Sequence, residues 1–204
     1  MFFKCAHHAP ADDQPSGRVV SNGSTSRIVD IHCHRECAAA AEMMKAEAER
    51  VGFAALSFGS ELTKEVNRQQ LINIKPKMES LDERIADMDK MGVDIQAVSI
   101  SPYQYYYWAE AEVGREVSKT INDDLAEAVG AKPDRLVGLG TVPLQNTEMA
   151  IAELERCINE LGFKGIEINS QVAGEDLSSP RLAPFWAKAE ELDIVVFIHT
   201  AGFT

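Results

Sequence analysis

Three histidines carry the strongest chemical signal in this sequence. Asp30-Ile-His-Cys-His34 closes a short apolar run that begins at Arg27. In a strand, residues two apart face the same way, so His32 and His34 would present two imidazoles side by side at the strand's C-terminal end. Asp30 would lie one pleat deeper on that face, where a carboxylate can orient a ligand imidazole. His199 ends a later apolar run, Ile194-Val-Val-Phe-Ile198. In a parallel sheet the three would meet at one rim, and neutral imidazoles gathered this way suit a borderline divalent ion such as zinc. Each signal also has an ordinary explanation. His-x-His arises often by chance, and a lone rim histidine is commonly bonded to backbone. Convergence of all three favours the metal.

The elements that must position them follow a regular alternation. Strands are expected over Arg27–His34, Asp94–Ser101, Arg135–Pro143, Phe163–Asn169 and Asp193–His199. Between them, apolar residues recur at helical spacing: Val117, Ile121, Leu125 and Ala128; then Ala150, Leu154, Cys157, Ile158 and Leu161; then Leu182, Phe185, Trp186, Ala189 and Leu192. Asn146 is placed to cap the second of these helices and Gly162 to stop it. The stripes are core faces laid on a parallel sheet with right-handed crossovers. Residues 1–26, rich in Ser, Gly, Pro and Asp, are expected to form a disordered tail. Residues 27–204 form the folded domain, with a long insert over about 52–78 that reads either as a lid or as a surface excursion.

Five strand–helix units leave two architectures open: a doubly wound open sheet, or the first part of a (β/α)₈ barrel, which needs ~250 residues. The chain stops just past the fifth strand with no helix to cover it, which favours a TIM-type (β/α) barrel truncated after that strand.

Bulk properties exclude several classes. The net charge of −12 argues against nucleic acid and anionic membrane as partners. There is no apolar run long enough for a bilayer, and the apolar start, Met1 to Cys5, is too short for a signal peptide. Four cysteines (Cys5, Cys33, Cys37, Cys157) lack framework spacing and read as free thiols of a cytoplasmic protein. The cluster Tyr103, Tyr105, Tyr106, Tyr107 and Trp108 follows the second strand, where aromatics can wall a pocket for a planar substrate or pack the loop down. Trp108 is taken as part of the pocket.

His-x-His ending the first strand, with a histidine ending the fifth, resembles the amidohydrolase superfamily. A narrower resemblance, to the aminocarboxymuconate-semialdehyde decarboxylase family, rests on several segments in order. They are Asp82-Glu-Arg-Ile-Ala-Asp-Met-Asp-Lys-Met-Gly-Val-Asp94, Tyr107-Trp-Ala109, Asn122-Asp-Asp-Leu-Ala126, Pro133-Asp-Arg-Leu-Val-Gly-Leu-Gly-Thr-Val-Pro143, Glu153-Leu-Glu-Arg-Cys157 and Glu160-Leu-Gly-Phe-Lys-Gly165. The match runs from Ile28 to the end apart from the insert.

The resemblance implies a metal-dependent barrel holding one divalent ion, usually zinc, on His32, His34 and His199. A metal-ligating aspartate and an acid/base histidine are expected beyond residue 204. The fourth strand offers Glu167 and Asn169 but no terminal lysine, which disfavours the two-metal, carbamylated-lysine variant; Glu167 could instead lend a carboxylate. The implied reaction is non-oxidative decarboxylation of an aromatic or muconate-type carboxylate, a carbon–carbon lyase activity. A hydrolase or hydratase on the same scaffold, or an inactive fragment, are the rival readings. The family's carboxylate-clamping arginine has no counterpart in Ile74-Lys-Pro-Lys-Met78, where Lys75 or Lys77 would substitute as point charges. The candidate substrate contacts are thus Lys77, Trp108, Glu167 and Asn169. Open strand edges would favour a homo-oligomer.

Overall fold

Strands and helices alternate along the structure at the places the apolar patterns mark. The computed structural model describes residues 27–51 and 60–200; the tail expected over 1–26 and the first part of the insert lie outside the described residues. In order come β1 (Val29–Arg35), α1 (Ala38–Val51), α2 (Glu61–Glu79), α3 (Leu81–Met91), β2 (Ile95–Ile100), α4 (Ala111–Ala131), β3 (Leu136–Gly140) and α5 (Thr147–Asn159). They are followed by β4 (Gly165–Asn169), a small hairpin of β5 (Gln171–Val172) and β6 (Glu175–Asp176), α6 (Ala183–Glu191) and β7 (Val195–His199). Among the described residues, no helix is long and apolar enough to cross a membrane.

The large sheet is parallel and runs β1-β2-β3-β4-β7. A doubly wound sheet reverses its strand order at a switch point, so that helices cover both faces. This order never reverses. Right-handed crossovers then put the helices on one side only, which is the winding of a barrel. The five strands form a curled half-barrel, and the open doubly wound alternative is excluded.

Alternation along each strand sorts side chains between the helix side and the concave side. In β4, Ile166 and Ile168 are fully buried in a cluster with Leu154, Leu182 and Phe185, leaving Glu167 to face the other way. The helical stripes meet this sheet as the spacing predicts: Val117, Ile121, Leu125 and Ala128 of α4 are buried, as are Ala150, Leu154 and Cys157 of α5. Burying each large side chain contributes roughly 1.5–3 kcal/mol. The expected cap on α5 is present, with Asn146 Oδ1 accepting the Met149 N–H at 3.0 Å.

The insert is helical from Glu61 onward, with no buried residue in α2. Its length comes from solvated pairs one turn apart, Glu61–Lys64, Glu65–Arg68 and Lys75–Glu79. A helix without an apolar stripe gives no periodic signal, which explains its irregular look in the sequence.

Gly165 sets the spacing between β4 and β7. It pairs with Val195, and a Cβ there would lie 2.0 Å from the Val195 carbonyl oxygen. That oxygen is backbone and can move only if the strands part. Gly165→Ala is therefore expected to cost about 1–3 kcal/mol or more, read as a lower urea midpoint. An unchanged midpoint would mean that β7 shifts aside without loss.

Candidate metal centre

His32, His34 and His199 stand on strands at opposite edges of the sheet. Strand spacing near 4.8 Å would put those edges roughly 19 Å apart if the sheet were flat. Instead the rings lie with centroids 5.0 Å (His32–His34), 5.0 Å (His32–His199) and 5.1 Å (His34–His199) apart. Curvature alone brings them together. One ring nitrogen from each lies within 4.8 Å of the other two.

Asp30 departs from the sequence expectation. The β1–β2 register slips by one residue between Asp30 and Cys33. A bulge adds a residue, so the period of two does not carry across it. Asp30 accepts from Gln96 Nε2 at 3.0 Å, and Gln96 Oε1 accepts from Arg84 of α3 at 2.9 Å, which is the helix side of the sheet. It meets His32 only through that residue's backbone N–H, at 3.1 Å. Arg84 also donates to the His34 carbonyl, which fixes the end of β1.

The electrostatics favour neutral imidazoles. Burial, and then the neighbouring His199 and His32, push His34 down to about 4. Burial and His32 lower His199 as well. Imidazole nitrogens gathered within 4.8 Å of one another, on rings that resist protonation at His34 and His199, suit a divalent ion. Nδ1 of His199 is buried with no hydrogen-bond partner among the described residues. An unpaired buried nitrogen is costly, so this donor set fits a metal.

Beside His34 lies a buried acid. Glu167 is 1% exposed and sits with Oε1 3.7 Å from His34 Nδ1. Ser99 Oγ donates to Glu167 Oε2 at 2.7 Å, and Tyr105 OH donates to Oε1. Ser99 Oγ also lies 3.0 Å from His34 Nδ1. Burial pushes Glu167 up, while the hydrogen bonds from Tyr105 and Ser99 pull it back. Burial and the nearby carboxyl of Glu167 raise the Tyr105 phenol. Tyr107 stacks on Tyr105 with centroids 5.4 Å apart.

The other residues singled out from sequence fall in different places. Asn169 pairs across the β4–β7 ladder with His199, at the same rim, and its Oδ1 accepts the Ser170 N–H. Lys77 engages Asp87 of α3, and Lys75 engages Glu79 on its own helix; neither is bonded to the histidine cluster. Trp108 is 37% exposed and edge-on to Tyr106 at 5.8 Å. Ser99 escaped sequence reasoning. The signal for it was a hydroxyl near the C-terminal end of an apolar strand, where a parallel register places it opposite His34.

A family model described as Amidohydrolase matches residues 29–204. The 2-amino-3-carboxymuconate-6-semialdehyde decarboxylase of Dictyostelium discoideum is 42% identical over 118 residues, covering 58% of this chain and 33% of that protein. A gamma-resorcylate decarboxylase of Rhodococcus jostii is 35% identical over 127 residues, covering 58% of this chain and 39% of that protein. A crystal structure of 5-carboxyvanillate decarboxylase from Novosphingobium aromaticivorans, complexed with manganese and a nitrobenzoic acid, superposes with a TM-score of 0.72 at 25% identity. It covers 85% of this chain and 50% of that one. The chain thus spans a third to two-fifths of the length of these curated relatives, and half of the solved structure.

Proposed function

The chain belongs to the amidohydrolase family, and from that membership we propose that the whole protein is a metal-dependent, non-oxidative decarboxylase of an aromatic or muconate-type carboxylate. The observation that carries this reading is the convergence of His32, His34 and His199 from the two edges of the sheet. The relatives named above are decarboxylases of such acids, which supports the substrate class.

A divalent ion on these imidazoles would bind the substrate and polarise one of its oxygens. His32, His34 and His199 would hold it. Asn169, beside His199 on the ladder, is positioned to contact a substrate at the rim. Trp108 would wall the pocket. Lys77 would have to leave Asp87 before it could reach a carboxylate. Losing carbon dioxide breaks the bond to the carboxylate carbon and leaves an electron pair on the substrate carbon, which a positioned acid must protonate. The family resemblance assigns that acid, and a carboxylate ligand, to strands beyond the five described.

Three imidazoles by themselves favour zinc, while the solved relative carries manganese, so element analysis belongs in the test. The free thiols Cys33, Cys37 and Cys157 agree with a cytoplasmic setting. Val29 and Ile31 on β1, and Val195 and Ile198 on β7, are exposed at the sheet edges and support self-association.

The test is an assay of the complete reading frame, loaded with zinc or manganese, on gamma-resorcylate, 5-carboxyvanillate and aminocarboxymuconate semialdehyde. Carbon dioxide release that a chelator abolishes and the ion restores is the expected result. Water addition or ester cleavage without carbon dioxide would replace the decarboxylase with a hydratase or hydrolase.

A further inference from the structure

We infer that Glu167 is a positioning residue which, acting through Ser99, sets the tautomer of His34 and leaves Nε2 of that ring free to bind a divalent ion. The inference rests on the metal-site reading above and adds how one ligand is prepared for it.

A serine hydroxyl has one hydrogen to give. Ser99 Oγ has three neighbours: Glu167 Oε2 at 2.7 Å, His34 Nδ1 at 3.0 Å and the Cys33 carbonyl at 3.4 Å. The first is the shortest, in the range of a charge-assisted O–H···O bond. Each Glu167 oxygen receives a hydroxyl, Oε2 from Ser99 and Oε1 from Tyr105, which is the pattern of an acceptor-only carboxylate. The Ser99 hydrogen therefore goes to Glu167. Toward His34, Ser99 Oγ has only a lone pair to offer, so Nδ1 must carry the ring hydrogen. The lone pair of neutral His34 then sits on Nε2, which has no part in this chain of bonds.

The geometry also argues against Glu167 as a ligand in its own right. The ligand atoms that converge belong to His32, His34 and His199, while Glu167 is 1% exposed and turned to the hydroxyls of Ser99 and Tyr105. It is the buried end of a relay, Tyr105 and Ser99 both pointing into it. Register fixes the relay: Ser99 stands opposite His34 in the β1–β2 ladder, and Glu167 is on the concave face of β4, two residues before Asn169. Partners of this kind, behind a ligand histidine, typically change metal affinity 10- to 100-fold.

The experiment is nitrogen-15 NMR of the histidine rings in the metal-free chain, with zinc affinity measured in parallel by competition with a chromophoric chelator. His34 is expected as the Nδ1–H tautomer in the native sequence. Glu167→Gln keeps the shape but can donate its amide hydrogen to Ser99 Oγ. The Ser99 hydrogen is then released toward His34 Nδ1, so the ring should shift to Nε2–H and zinc binding should weaken about 10- to 100-fold. Ser99→Ala removes the acceptor and should mix the tautomers; Ser99→Thr, which retains a hydroxyl, should restore Nδ1–H. Tyr105→Phe leaves the Ser99–Glu167 bond in place and should leave the tautomer unchanged. An Nε2–H ring in the native chain, or the same tautomer in Glu167→Gln and Ser99→Ala as in the native chain, overturns the inference. If the tautomers shift as stated but no variant, nor the native chain, binds zinc, the metal-site reading fails while the relay stands.

Discussion

His199→Ala is expected to weaken zinc binding more than about 100-fold, beyond the range typical of outer partners of a ligand, and His32→Ala to do the same. The expectation follows from how the centre is assembled. His32 and His34 sit on one edge of the sheet and His199 on the other. One strand alone supplies two imidazoles, too few for a tetrahedral site. The third must come across the mouth of the half-barrel, where the ring centroids already lie 5.0 and 5.1 Å apart.

An ion held there would tie β1 to β7, two strands that share no hydrogen bond in the sheet. Binding of an ion to the folded state alone stabilises it, by about 2.7 kcal/mol at a hundredfold excess over Kd. Zinc should therefore raise the melting temperature of the native chain and leave that of His199→Ala where it was. Element analysis gives the stoichiometry, and thermal unfolding with and without zinc gives the linkage. Full stoichiometry retained in His199→Ala would place the ligands elsewhere and dissolve the centre as described.

How far the sequence carried this picture depended on which signals are local. The five strands of the sheet and the buried stripes of α4 and α5 were legible because a period of two and a period of 3.6 are properties of neighbouring residues. The convergence of the three histidines was legible because His34 and His199 end apolar runs, and parallel strands put such ends on one rim. Asp30 was misread because a bulge interrupts β1, and nothing in Asp30-Ile-His-Cys-His34 announces an extra residue. Helix α2 was hidden because none of its residues is buried, so no core-facing stripe marks its period. The relay behind His34 was invisible for another reason. Ser99, Tyr105 and Glu167 are 62 to 68 residues apart where they bond one another, and only the register of β2 against β1 and the face of β4 bring them together. Glu167 was noticed for its charge and Tyr105 for its ring; that Tyr105 and Ser99 both donate to Glu167 was not foreseen.

The family-like segment Asn122-Asp-Asp-Leu-Ala126 reads differently once its contacts are known, and Asn122→Ala is expected to cost roughly 3 kcal/mol or more. Asn122 is completely buried. Its Nδ2 donates to the Thr141 carbonyl at 2.8 Å and to Glu153 Oε1 at 2.6 Å, and its Oδ1 accepts the Thr141 N–H at 2.8 Å. One side chain thus satisfies both backbone groups of the residue that follows β3, and part of a buried carboxylate. Alanine would strand both Thr141 backbone groups and take one donor from Glu153, and each buried polar group left unpaired costs about 1–3 kcal/mol. Arg156 still holds Glu153 from the other side, at 2.7 and 2.9 Å, so the carboxylate would not be abandoned entirely. The adjacent residues separate this effect from simple loss of a surface polar group. Asp123, 52% exposed, pairs with Arg156 at 2.7 Å, and removing it should change stability by no more than about 1 kcal/mol. Asp124 reaches Arg35 at 2.7 Å and so anchors α4 to the residue directly after His34. Urea unfolding of Asn122→Ala beside Asp123→Ala decides the matter. A wide gap between the two midpoints shows that Asn122 locks the exit of β3 onto α4, and through Asp124 next door the same helix braces the strand that carries two of the three imidazoles. Equal midpoints would show that the loop after β3 finds other partners, and that the rim is held by the sheet alone.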